Sequence, residues 1–176
     1  MMRLAASIAC PTRVMVRPRQ GDFTYNDTEI TLMLHDIDAV AEMGLEGVVL
    51  GANLPTSELD ETQLARLTAH AKTANLKVTL HRSFDIAPAP LKALEIAQGL
   101  GIDSILTSGG APTALAGVDT LALLVRTVRA QPTRNPIEIM AGVGVNAKTV
   151  GEIITRSGVR SVHGSCSRLQ DVSAGK

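Results

Sequence analysis

A strand followed by a helix recurs along the chain, with successive strand ends about 23 to 34 residues apart. The clearest copy is Lys77–Asp85, in which apolar and polar side chains alternate from Val78 to His81 as they do in a half-buried strand. Pro88 and Pro90 then interrupt the chain, and a helical pattern begins at Leu91. The repeated pattern therefore predicts units of one strand and one helix. Each strand has polar groups at its carboxyl end, and each helix leads the chain back to the start of the next strand.

Six such units are present. The predicted strands cover residues 12–19, 47–51, 77–81, 104–108, 137–141 and 159–164, and their carboxyl ends are marked by Arg17, Gly51, His81, Ser108, Ala141 and Gly164. A TIM (β/α)8 barrel uses about 31 residues per unit, which fits this spacing. The 176 residues are therefore predicted to form one α/β domain, 1–176, of the TIM-barrel type, incomplete with about six units. The alternative is an open doubly wound sheet, which usually has a glycine fingerprint where this chain has Arg17 and Arg19.

The composition narrows the class of partner. The formal net charge is zero, and no apolar run approaches the roughly 20 residues that span a bilayer. We therefore expect neither a nucleic-acid partner nor a membrane partner. The opening residues are too weakly basic for a signal peptide, and the two cysteines, Cys10 and Cys166, are interpreted as free thiols. These features predict a cytoplasmic protein.

Helix boundaries are predicted from capping residues. Asn26 is expected to cap a helix that begins at Asp27, with Glu29 at the reciprocal position of a capping box. Asn146 is expected to begin the last helix, and the residues before Pro11 resemble the end of a helix.

The few aromatic residues are unevenly placed. Phe23, Tyr25 and Phe84 each follow a predicted strand closely. The rings either line one rim of the barrel or fill the ends of its core.

Ionisable side chains cluster where the predicted strands end. They are Arg17, Arg19, His81, Arg82, Asp85 and His163. Barrels of this type place their chemistry at that end of the sheet. The arginines, together with backbone N–H groups of a glycine-rich loop, predict a site for a phosphate or a carboxylate. The predicted anion-binding set is Arg17, Arg19, Arg82, Gly142, Gly144 and Ser165.

The same cluster suggests catalysis. His81 is predicted to act as a general acid or base near neutral pH, with Asp85 orienting it. The enzyme would be of the lyase, isomerase or hydrolase type and would act on a small anionic or phosphorylated metabolite. The alternative is structural, with Arg17, Arg82, Asp22 and Asp85 forming an ion network that closes the end of the barrel.

Five short motifs follow one another along the chain. They are Arg17-Pro18-Arg19 with Gly21-Asp22-Phe23 and Tyr25, His81-Arg82 with Phe84-Asp85, Leu106-Thr107-Ser108-Gly109, Ile139-Met140-Ala141-Gly142 with Gly144-Val145, and Val162-His163-Gly164-Ser165. Together they resemble the CutC family of copper-homeostasis proteins. The resemblance implies a TIM-barrel fold, a cytoplasmic location, a homo-oligomer and a role in copper handling.

The resemblance also implies two further strands and a helix ahead of the first strand of this chain, including a strand with a cysteine, and a final helix after the last strand. With six strands, the strands at 14–17 and 159–164 are expected to be edges with unpaired backbone groups. We therefore expect copies of the chain to associate through this gap, with a C2 dimer as the simplest closed solution. The alternative is a barrel that stays open and partly flexible at the gap.

Copper binding depends on soft ligands, because Cu(I) prefers thiolates and thioethers. Cys10 precedes the first strand and Cys166 follows the last, so in a parallel barrel they are expected about 20 Å apart at roughly 3.3 Å per strand residue. His163 and Cys166 remain as the candidate ligands for Cu(I). The alternative is a small buried thiol beside a histidine that a backbone carbonyl holds.

Overall fold

The computed structural model describes residues 10–131 and 136–165. Strands and helices alternate through this part of the chain. The strands are β1 (Arg13–Met15), β2 (Gly47–Leu50), β3 (Lys77–Leu80), β4 (Ser104–Thr107), β5 (Glu138–Gly142) and β6 (Ser161–His163). The helices are α1 (Asp27–Glu42), α2 (Glu61–Thr73), α3 (Pro90–Gly99), α4 (Val118–Ala130) and α5 (Val150–Ser157), and a 3₁₀ helix (Arg82–Ile86) follows β3.

The six strands form one parallel sheet in chain order, from β1 to β6. Each strand pairs only with its neighbours in sequence, and β1 and β6 do not pair with each other within the described residues. The sheet is thus half of a barrel, with helices between successive strands. This arrangement confirms the predicted α/β fold and its count of six units.

The two faces of the sheet differ in burial. Val48, Leu50 and Val78 face the helices and are fully buried. Met15 lies on the opposite, concave face, and 53% of its surface is exposed because β1 is an edge. No helix among the described residues is long and apolar enough to cross a membrane.

The capping box at α1 is present as predicted. The N–H of Glu29 donates to Asn26 Oδ1 at 3.0 Å, and the N–H of Asn26 donates to Glu29 Oε2 at 2.9 Å. Gly44 follows the helix with a φ of +65°, the left-handed conformation that ends many helices.

Two boundaries differ from the prediction. β1 ends at Met15, although the Val16 N–H still donates to Val49 O at 2.8 Å, because Pro18 has no N–H to continue the ladder. α5 begins at Val150 rather than at Asn146, whose Oδ1 accepts the N–H of Lys148 in a preceding turn. The helix predicted before Pro11 falls mainly outside the described residues.

The amino-terminal end of the concave face holds a bonded network around Arg13. The guanidinium donates to Thr79 Oγ1 and to Ser104 Oγ, both at 2.8 Å, and to Glu46 at 3.3 Å. Lys77 lies 3.2 Å from the same carboxylate. These groups stabilise the end of the sheet opposite to the predicted site.

Candidate functional site

A cavity of about 1200 Å³ lies at the carboxyl ends of the strands and is called the rim cavity below. Its walls come from the ends of β1, β3, β4, β5 and β6 and from the loop after β5. The lining residues are Met15, Arg17, Phe23, His81, Arg82, Leu106, Gly142, Val143, Gly144, Val145, Asn146, Ala147, Val150, Val162, His163, Gly164 and Ser165. The cavity thus brings together most residues of the predicted site.

Arg17, Phe23 and His81 form a stack in the rim cavity. The guanidinium carbon of Arg17 lies 4.6 Å from the centre of the Phe23 ring. The Phe23 ring also contacts the His81 ring, with 4.7 Å between the two ring centres. Arg17 also donates to Gly21 O at 2.5 Å, which holds the guanidinium over the ring. Phe23 is therefore a rim residue, whereas Phe84 is 2% exposed and belongs to the core.

His81 is 97% buried under Phe23, since only 3% of its surface is exposed. The N–H of Ser83 donates to His81 Nδ1 at 3.1 Å, so the proton of the neutral ring is on Nε2. Burial, followed by the nearby charge of Arg17, lowers the pKa of His81 to about 4. The ring is therefore uncharged near pH 7, and the predicted titration close to neutrality is wrong for this environment.

Gly51 leaves the space that the His81 ring occupies. A Cβ at this position would lie 2.2 Å from Ser83 Oγ and 2.5 Å from His81 Cε1. Only glycine allows the end of β2 to pass so close to the imidazole. Neither Gly51 nor Ser83 was predicted as a site residue, and the nearest signal in the sequence is a glycine at the end of an apolar strand.

Asp85 does not orient His81, contrary to the prediction. Its carboxylate accepts hydrogen bonds from the hydroxyl of Thr107, the N–H and hydroxyl of Ser108 and the N–H of Gly110. Arg82 Nε donates to it at 2.8 Å. These donors fix the 3₁₀ helix against the loop after β4. Of the ion network in the structural alternative, Arg82 and Asp85 form a pair, whereas Asp22 pairs with Arg19.

Arg19 does not line the rim cavity, contrary to the prediction. Its guanidinium donates to Glu29 Oε1 at 2.5 Å, to Asp22 Oδ1 at 2.8 Å and to Thr24 O at 2.6 Å. The hydrogen bond from Arg19 lowers the pKa of Asp22 below its usual value. Arg19 thus ties the loop after β1 to the start of α1.

The loop after β5 forms one wall of the rim cavity. Val143 has a φ of +74° and Gly144 a φ of +71°. A positive φ is a genuine outlier for a β-branched residue, and such strain clusters at functional sites. Gly142, Gly144 and Ser165 all line the cavity, and their role in binding an anion stays a prediction.

The charge of the rim cavity is one-sided. The charged side chains that line it are Arg17 and Arg82, and no aspartate or glutamate does so among the described residues. Arg82 is neutralised by Asp85, whereas Arg17 has no carboxylate within ion-pair distance in the described part of the chain. The positive charge of Arg17 therefore remains available to a ligand.

The described residues fit a copper ion poorly. No three histidine, cysteine, aspartate or glutamate side chains are grouped so as to hold a metal in residues 10–131 and 136–165. His163 lies at the exposed end of β6, and its predicted partner Cys166 falls outside the described residues. Cys10 is exposed before β1, at the other end of the sheet.

Comparisons with known proteins identify the family. The sequence model of the CutC family matches residues 1–168. The chain belongs to the CutC family. A protein of Rhizobium meliloti (strain 1021) that is named family protein CutC is 43% identical over 170 residues, covering 97% of this chain and 66% of the relative. One of Caulobacter vibrioides (strain NA1000 / CB15N) with the same name is 44% identical over 165 residues, covering 94% of this chain and 64% of the relative.

A crystal structure supports the same conclusion. A protein from Streptococcus agalactiae that carries the name copper homeostasis protein CutC aligns with a TM-score of 0.77 at 30% identity. The alignment covers 85% of this chain and 70% of that protein. This likeness confirms the TIM-barrel-like fold of the CutC chain described above. The chain spans 64–66% of the length of the two curated relatives.

Proposed function

We propose that this CutC-family chain acts in copper homeostasis, in the cytoplasm. The proposal is supported by the family match over residues 1–168 and by the name of the similar Streptococcus agalactiae protein. Within this role, the geometry favours a small anionic or phosphorylated metabolite as the ligand of the rim cavity.

The observation that carries the anion proposal is the guanidinium of Arg17, which has no ion-pair partner in the described part of the chain and lines a cavity that no described aspartate or glutamate lines. A cation would meet repulsion there, whereas a phosphate or carboxylate gains a charge-assisted hydrogen bond. The strained loop at Val143 and Gly144 forms part of the wall of the same cavity. The catalytic form of the proposal is an enzyme of the lyase, isomerase or hydrolase type that acts on such an anion.

Titration with inorganic phosphate at low ionic strength tests this proposal. Arg17→Met should weaken binding by about tenfold or more, because a hydrogen bond to a charged group is lost. The matched control is Arg160→Met, since Arg160 is an exposed arginine just before β6, at the opposite end of the sheet. Equal phosphate affinity in both variants would reject Arg17 as the anion-binding group.

Direct copper binding through His163 and Cys166 is a separate proposal. It is supported only by ligand chemistry, because thiolate and imidazole are good Cu(I) ligands and the two residues are close in sequence. Competition with a Cu(I) chelator should show weaker binding in Cys166→Ser than in Cys10→Ser. Identical copper affinity in the wild type and Cys166→Ser would remove this pair.

We also propose that copies of the chain associate. The support is that β1 and β6 are both open edges of the described sheet, and Met15 and Val162 beside them are exposed apolar side chains. Light scattering at low micromolar concentration should report a dimer. A stable monomer under those conditions would contradict the proposal.

A further inference from the structure

His81 presents a buried N–H without an acceptor. Nδ1 accepts the N–H of Ser83 at 3.1 Å, and Nε2 has no hydrogen-bond partner among the described residues. Buried polar atoms are nearly always hydrogen-bonded in folded proteins. Because His81 lines the rim cavity, its Nε2–H is suited to a ligand that enters that cavity.

The surroundings fix the His81 ring in place. The backbone of Gly51 packs so closely that a Cβ there would lie 2.6 Å from Nδ1. Ser83 holds the same nitrogen, and the ring of Phe23 covers the imidazole from the cavity side. The backbone of Phe23 is also held, because its carbonyl accepts the Asn53 N–H at 2.9 Å. These contacts therefore hold the imidazole in one orientation beside the Phe23 ring.

We propose that His81 donates its Nε2–H to an uncharged carbonyl or hydroxyl oxygen of a ligand whose carboxylate or phosphate group lies against Arg17. This inference rests on the anion-binding function proposed above and narrows the ligand to an anion with a second, neutral oxygen acceptor. Phe23 lies between the two binding groups, in contact with both, and turns aside as the ligand enters. His81 is then a binding group of fixed orientation rather than a proton acceptor.

The protonation state agrees with this role. Burial and the charge of Arg17 lower the pKa of His81 to about 4, so the ring stays neutral across the physiological range. A neutral imidazole with Nδ1 occupied has one donor, and it polarises a carbonyl oxygen without adding a charge.

A comparison of pyruvate with acetate tests the inference. Both carry a carboxylate, and only pyruvate adds a neighbouring carbonyl oxygen. The wild type should bind pyruvate about two- to tenfold more tightly than acetate, which is the range for one neutral hydrogen bond. His81→Phe should lose this preference. Phe23→Ala, which removes the covering ring but keeps the donor, should retain it.

The matched control is His70→Phe, because His70 lies on α2 and pairs with Asp38 at 2.6 Å, away from the rim cavity. It should keep the wild-type preference. A second measurement does not depend on a folded His81 variant: in two-bond ¹H–¹⁵N spectra of the wild type, the Nε2 signal of His81 should move with pyruvate more than with acetate.

The outcomes separate this inference from the function on which it rests. Phosphate binding that depends on Arg17, combined with equal pyruvate and acetate affinities or an unmoved Nε2 signal, would overturn the role of His81 alone. A preference that survives in His81→Phe, or vanishes in Phe23→Ala, would overturn it as well. Absence of binding of all three anions would reject the anion proposal and this inference together.

Discussion

Arg13 and Arg17 stand four positions apart on the same side of the first strand and its continuation, and they have opposite surroundings. Arg13 is partly buried and donates to Thr79, Ser104 and Glu46. Arg17 is exposed, donates to the Gly21 carbonyl of its own loop and lies over the Phe23 ring, and no carboxylate is within ion-pair distance of it among the described residues. At the amino end of the sheet, the Arg13 guanidinium stabilises the fold. At the carboxyl end, the Arg17 guanidinium remains available to a ligand. In barrels of this type the carboxyl end carries function and the amino end carries stability.

The acidic residues show the same contrast. At the amino end, burial disfavours the charge of Glu46, yet hydrogen bonds and charges from Lys77 and Arg13 lower its pKa overall. At the carboxyl end, the carboxylate of Asp85 is paired with Arg82 and accepts hydrogen bonds from the loop after β4, and that of Asp22 is paired with Arg19. The rim cavity therefore keeps a net positive field because these carboxylates are already neutralised.

The largest expected effect is at the amino end. Arg13→Met should lower the free energy of unfolding by about 2–4 kcal/mol, because three hydrogen bonds, one of them also the ion pair with Glu46, are lost from a partly buried network. Urea unfolding measures this change. Phosphate binding should stay at the wild-type level. A loss below about 1 kcal/mol would show that the network is not a main source of stability.

The second prediction concerns pH. The pKa of His81 is about 4 in the folded protein, against 6.5 without perturbation, so the unfolded chain takes up the proton first. The contribution of the neutral His81 to the free energy of unfolding is fully present above pH 6.5 and is lost as the pH falls toward 4. For a shift of this size it amounts to about 3 kcal/mol.

His81→Gln isolates this contribution, because the variant has no titrating group at that position. Other groups lose stability at still lower pH, among them Asp22 and Glu29, whose pKa values are lowered. The difference in unfolding free energy between wild type and variant should therefore change between pH 6.5 and 4. Parallel pH profiles for the two proteins would contradict the burial of His81.

Local features of this chain were predictable from the sequence. Alternating or apolar side-chain patterns located all six strands, and apart from β1, which ends at Met15 instead of residue 19, the predicted ends lie within about two residues of those found. The Asn26 capping box was predicted residue by residue, because its partners are three positions apart. Gly158 ends α5 with a φ of +72°, again a local preference.

The site was only partly predictable, because its details depend on contacts that periodicity does not encode. Strand ends placed Arg17, His81 and His163 around one cavity. The bonds of Asp85 come from a loop more than 20 residues later in the chain. The low pKa of His81 depends on its burial, to which the Phe23 ring and the close approach of Gly51 contribute. Neither the conformation of the loop after β4 nor the close approach of Gly51 to His81 can be predicted from the alternation of side chains along a strand.

A third prediction tests how tightly the carboxyl end is packed. Gly51→Ala should cost about 1–3 kcal/mol, because its Cβ would overlap Ser83 Oγ and the His81 ring. It should also raise the pKa of His81 by loosening its environment, which NMR titration of the ring measures. The control is Gly99→Ala at the end of α3, where nothing lies within 4 Å of the added Cβ. That variant should be neutral or slightly stabilised, and a similar loss in both would mean that the His81 pocket tolerates an extra methyl group.

The smallest expected effect on stability is that of Arg17→Met, the counterpart of Arg13→Met four residues away. The guanidinium is exposed, so its removal loses one hydrogen bond to Gly21 O and a cation–π contact, together below about 1 kcal/mol. The charge of Arg17 also lowers the pKa of His81, so that pKa should rise in the variant. Urea unfolding and NMR titration measure the two changes. If Arg17→Met and Arg13→Met destabilised the protein equally, both arginines would serve the fold, and the carboxyl end would have no cation set aside for a ligand.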